Sequence, residues 1–109
     1  MNAYRYAAAL GDRIWTAVTS WDSFARWSIG LQLVRSVDSI AANIAEAHGR
    51  ATGPDQMRLL VIARGSAYEA EHWIDLAVRR EFLDETASED IAEVTRILNG
   101  LIRSRRRRG

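Results

Sequence analysis

Apolar residues return along this chain every third or fourth position and seldom every second one. Near the start, Ala3, Ala7, Leu10, Ile14, Val18 and Trp21 follow at spacings of 4, 3, 4, 4 and 3, the period of one helical face. The stretch "WDSFARWS" interrupts this pattern, and Ser28 is placed to cap a second helix that reaches about His48. Its stripe is Ile29, Leu33, Val37, Ile40, Ile44 and Ala47, and Gly49 is placed to end it. In "ATGPDQM", Thr52 with Asp55 suits a capping box, and Pro54 is tolerated in a first turn that needs no N–H. The third helix then runs from about Gly53 to Arg79. After "LDETASED", where Thr86 with Glu89 or Ser88 alone would cap, the fourth helix carries Ile91, Val94, Leu98, Leu101 and Ile102. Short connections between long helices imply antiparallel neighbours. The predicted fold is all-α, an antiparallel up-down-up-down four-helix bundle.

Two features exceed what a solitary bundle needs. On the third helix, Leu59, Ala63, Ser66, Ala70, Trp73 and Ala77 form a central stripe, flanked by Leu60, Ala67, Ile74 and Val78 on one side and by Ile62 and Leu76 on the other. This arc covers roughly half the circumference, wider than one buried face requires. On the second helix a polar row, Gln32, Arg35, Ser39, Asn43, Glu46 and Arg50, runs beside the apolar stripe. Such a row is either solvated surface or a subunit interface in which amides and charges fix register. Glu69 projects between Ile62 and Leu76, where a buried carboxylate would need a partner. Arg35 and Asn43 are the expected ones.

Composition narrows the class. Of 109 residues, 48% are hydrophobic and 27% charged, which fits one globular domain and argues against disorder. The chain has one proline and no cysteine, so neither a disulfide framework nor thiolate chemistry is expected. The opening residues do not read as a signal peptide and no apolar run has the length of a membrane span, so the cytoplasm is the expected compartment.

Charge is unevenly spread. The formal net charge is +1, yet all 15 basic residues are arginine, and five of them fall in the last seven positions. Residues 1–102, the expected bundle, hold ten arginines against fourteen acids, a net of −4; residues 103–109 form an arginine-rich tail of +5. Arg103, Arg105, Arg106, Arg107 and Arg108 are the residues expected to contact nucleic-acid phosphates, the alternative being a solvated terminus.

Catalytic chemistry finds little footing. Glu69 and His72 have the Glu-x-x-His spacing of di-iron bundles, but that site needs a second copy of the motif, and His48 lies only two residues from Glu46. Ser66 follows Gly65 without the strand-turn-helix setting of a nucleophile elbow. No phosphate loop or dinucleotide fingerprint is present. The expectation is no enzyme, no metal and no cofactor.

Three motifs in order, "SIAANIAEAHGR", "ARGSAYEAEHWIDLA" and "ILNGLIRS", resemble those of the 23S rRNA intervening-sequence proteins, over roughly Gly30 to Ser104. Ala41 stands where many members have proline, and Ala47 where glycine is usual. The resemblance implies an antiparallel four-helix bundle assembled as a ring-like homopentamer, with Arg35, Ser39, Asn43, Glu46, Arg50 and Glu69 as family-motif or oligomer-interface positions. A related branch, the accessory variability determinant of diversity-generating retroelements, implies RNA or DNA binding and a reverse transcriptase as partner. Two functions follow as expectations: a homo-oligomer that binds nucleic acid without sequence choice, or a scaffold for another protein.

Overall fold

The structure, a computed structural model, describes residues 3–108. Helix α1 spans Ala3–Thr19, and a single turn, α2 (Ser23–Ala25), leads through a π-helical turn (Arg26–Gly30) into α3 (Leu31–His48). Helices α4 (Gly53–Arg79) and α5 (Thr86–Arg108) complete the chain. With α2, the π turn and α3 continuous, the architecture is a four-helix bundle of 46 × 21 × 20 Å. Its antiparallel order follows from pairings that run in opposite senses. Gln56, Arg64 and Asp75 of α4 meet Arg105, Asn99 and Ser88 of α5 in turn.

Most of each predicted stripe forms the core, while Trp21, Trp73, Val78 and Leu101 are half-buried against it. Ala3, Ala7, Leu10, Ile14 and Val18 of α1 are buried against Leu33, Val37, Ile40 and Ile44 of α3 and Ile91, Val94, Leu98 and Ile102 of α5. Each fully buried aliphatic side chain contributes about 1.5–3 kcal/mol. The wide arc of α4 has an internal explanation. Leu59, Leu60, Ala63, Ala67, Ala70, Ile74 and Ala77 are all buried, because α4 packs on both α3 and α5. The centre of the buried face is thus shifted toward Leu60 and Ile74. Ile62, on the far flank, is exposed and Leu76 half-buried.

The helix starts depart from expectation twice. Ser28 does not cap the second helix. Asp22 does, its Oδ1 accepting from Ala25 N at 3.0 Å, and the helix begins five residues earlier than Ser28. Ser28 lies inside the π turn, its hydroxyl donating to the Phe24 carbonyl at 2.6 Å. An i→i+5 turn holds more residues per turn than an α-helix, which keeps Ala25, Ile29 and Leu33 on one buried face. For α5, neither Thr86 nor Ser88 caps. Asp84 Oδ1 accepts from Thr86 N at 2.9 Å, and the hydrogen bonds from Thr86 hold its carboxyl below the usual range. Thr52, by contrast, caps α4 as predicted, its side chain accepting from Asp55 N at 3.3 Å.

Helix α4 ends in a Schellman motif. Phe82 N donates to the Ala77 carbonyl at 2.8 Å and Glu81 N to that of Val78 at 3.0 Å, with Glu81 at φ 64°. The turn carries Phe82 onto Trp21, ring centroids 4.9 Å apart, which closes this end of the bundle.

Candidate nucleic-acid interface

At the other end, α3 finishes, α4 begins and α5 finishes. Gln56, in the first turns of α4, holds the three together. Its Nε2 donates to the Arg50 carbonyl at 2.9 Å, and its Oε1 accepts from Arg105 Nη1. The arginine run is therefore no separate tail but the last turns of α5. A helix C-terminus carries partial negative charge that cations offset, so the local electrostatics favour helix through Arg108. Arg108 Nη2 also donates to Ser104 Oγ one turn back, at 3.0 Å. Arg105 is half-buried, whereas Arg103, Arg106, Arg107 and Arg108 are exposed.

Between these turns lies an open groove of about 550 Å³ lined by Gly53, Pro54, Met57, Arg105, Arg106 and Arg108. The N-terminus of α4, whose free N–H groups carry partial positive charge, opens beside it. Topology concentrates charge here. Residues 46–58 and 103–108 contribute seven arginines (Arg50, Arg58, Arg103 and Arg105 to Arg108) against two acids, Glu46 and Asp55. Both acids are engaged by neighbouring arginines. Glu46 pairs with Arg50, and Asp55 lies 3.5 Å from Arg58. The remaining twelve acids and eight arginines lie elsewhere on the chain. The acidic excess of the body is thus spatially separate from the basic end.

The polar row on α3 divides. Ser39 faces α4, its hydroxyl 2.8 Å from that of Ser66. Asn43 turns back on its own helix, Nδ2 donating to the Ser39 carbonyl at 2.8 Å and to Ser39 Oγ at 3.1 Å. Arg35 is exposed. The expected pairing of Glu69 with Arg35 or Asn43 is not formed: Glu69 is exposed and its Oε2 accepts from Trp73 Nε1, one turn on, at 3.0 Å. With the buried face of α4 displaced toward Leu60, the Glu69 flank turns to the outside and needs no buried partner. His72 is exposed too, edge-on to Trp73 at 4.7 Å. Among the described residues no group of three or more His, Asp or Glu side chains is gathered to hold a metal ion. No helix among them is long and apolar enough to cross a membrane.

One surface lies outside the periodic stripes. Trp15, Phe24 and Trp27 are 58%, 84% and 66% exposed. A signal for it exists in the pattern: Phe24 and Trp27 fall off the Trp21, Ala25, Ile29 stripe, so these rings have no place in the core.

Comparison with known proteins gives the chain its family. The sequence model of the 23S rRNA-intervening sequence proteins matches residues 1–104. No curated protein matches the chain. Among solved structures, a protein of unknown function from the S23 ribosomal protein family of Bacteroides thetaiotaomicron, a 1.70 Å crystal structure, is 27% identical over 92% of this chain and 97% of its own, with a TM-score of 0.83. With nearly its whole length matched by the family's sequence pattern, the chain belongs to the 23S rRNA-intervening sequence protein family.

Proposed function

We propose that this protein is a non-enzymatic, homo-oligomeric binder of nucleic acid that grips the phosphate backbone with the arginine end of its bundle and acts in the cytoplasm. The observation that carries this reading is the gathering of seven arginines and two acids at one end. Guanidinium groups bind phosphate in a planar, often bidentate way. Each phosphate neutralised releases condensed counterions, which yields affinity with little sequence choice. Arg103, Arg106, Arg107 and Arg108 are the contacting residues. Arg105, held by Gln56, positions the turn. Assembly of several copies multiplies interactions that are weak singly, through effective concentration.

Replacing Arg103, Arg106, Arg107 and Arg108 together by glutamine tests the reading, because all four are exposed and the core is untouched. Filter binding to RNA and to duplex DNA at low salt is expected to weaken at least tenfold, with unchanged helical circular dichroism. Unchanged binding would remove the arginine mechanism. Absence of binding by the intact protein would leave the protein-scaffold reading in its place.

A further inference from the structure

We infer that the aromatic surface of α1 and the π turn is a contact between copies of this chain, in which Phe24 of one copy enters the groove between Trp15 and Trp27 of another. This rests on the homo-oligomeric part of the reading above and says where the copies meet.

Two matching shapes lie close together on the molecule. The groove, of about 400 Å³, is lined by Trp15, Val18, Thr19, Arg26, Trp27, Gly30, Leu31 and Val34, of which only Arg26 is charged. Phe24, one helical turn before Trp27, is the most exposed large apolar residue among those described, at 84%. A phenyl ring left in water forgoes most of its transfer free energy. The π turn accounts for the geometry: it holds Ala25 and Ile29 in the core and so leaves Phe24 and Trp27 outside.

Charge identifies the occupant as the chain's own segment. Arg26 Nε is buried without a hydrogen-bond acceptor among the described residues. Asp22, exposed and two residues before Phe24, caps the helix through Oδ1 on Ala25 N at 3.0 Å and so carries its negative charge beside the phenyl ring. An incoming Phe24 therefore brings a carboxylate to a groove whose one charge is a guanidinium. At about 150–250 Å² per ring, the exposed fractions of the three aromatics amount to roughly 400 Å² per copy. In a two-fold pairing both knobs and both grooves meet in one interface, which with Leu31 and Val34 added comes to roughly 1,000 Å², the lower bound for a specific contact; in a ring each contact joins one knob to one groove and buries about half of that. Every copy offers one knob and one groove, so a closed assembly satisfies all of them.

Sedimentation velocity across a concentration series tests this on the full chain, comparing the wild type with Phe24→Ser and Trp27→Ser. Both positions are exposed, and circular dichroism checks that each variant folds. The expected result is an assembled wild type and, for both variants, at least a tenfold weaker association. A wild type that assembles alongside equally assembled variants would overturn the aromatic contact and leave the homo-oligomer intact. A wild type that stays monomeric at micromolar concentration would overturn both.

Discussion

Gly30 and Val18 define how closely the first two helices of the bundle approach: a Cβ added at Gly30 would stand 2.7 Å from Val18 Cγ1 and 3.1 Å from the Ala25 carbonyl oxygen. Both obstacles are held in place, one a buried β-branched side chain and the other backbone. Gly30→Ala is therefore expected to destabilise by about 1–3 kcal/mol despite the better helix propensity of alanine. Gly11 is the informative contrast. The one tight approach to a Cβ there is Asp38 Oδ1 at 2.9 Å, the flexible end of an exposed side chain, while Val37 Cγ1 at 3.8 Å is at ordinary packing distance. Gly11→Ala is expected to be neutral or to stabilise by up to about 1 kcal/mol. Chemical denaturation of the two variants checks the opposite signs.

Asp38 also makes the fold sensitive to pH. The side chain is exposed overall, but its carboxyl lies against α1 at Gly11; this partial desolvation, and secondarily the charge of Asp12 on α1, push it above the usual range. A raised acid favours its protonated form in the folded state, so its ionisation opposes folding. Stability from this site falls as pH rises through the interval between the unfolded and the raised folded value. Asp38→Asn is accordingly expected to raise Tm at pH 7, with the gain shrinking toward zero as pH falls below the ordinary aspartate range. Thermal melts of the pair from about pH 3 to pH 7, a span that brackets the ordinary aspartate range, read this directly. Asp12→Asn is expected to give a smaller gain of the same sign.

Ser39 and Ser66 join α3 to α4 by a half-buried hydroxyl pair. A double-mutant cycle with alanine is expected to give a coupling of about 0.5–1.5 kcal/mol. The corresponding cycle for Glu69 and Asn43, which bond to Trp73 and Ser39 and not to each other, is expected to give none within error.

Glu81 holds a left-handed backbone position at the end of α4, φ 64°, where glycine carries no steric cost. Glu81→Gly is expected to stabilise by about 0.5–1 kcal/mol, measurable as a rise in Tm of a few degrees.

Much of the fold is legible in the chain and some is not, for identifiable reasons. The α1 stripe and the Thr52 cap read correctly because each depends on neighbours within one turn or on a strict period. Periodicity misplaces the start of the second helix because a π turn breaks the 3.6-residue rule that favours Ser28. Projection of α4 alone gives Glu69 a distant partner because it cannot show which flank two neighbouring helices will cover; packing against both α3 and α5 decides it. The arginines stand out by composition, but the anchoring of Arg105 by Gln56, 49 positions away, needs the fold. That Arg50 and Arg58 join them needs the topology.

The central claim, backbone gripping by the arginine end, is tested most directly by the salt dependence of binding to duplex DNA. For the wild type, log K against log salt is expected to be steep and linear. Replacing Arg103, Arg106, Arg107 and Arg108 by glutamine should make the slope shallower by about 3 to 4, roughly 0.9 for each phosphate no longer neutralised. Equal slopes for the two proteins would contradict it.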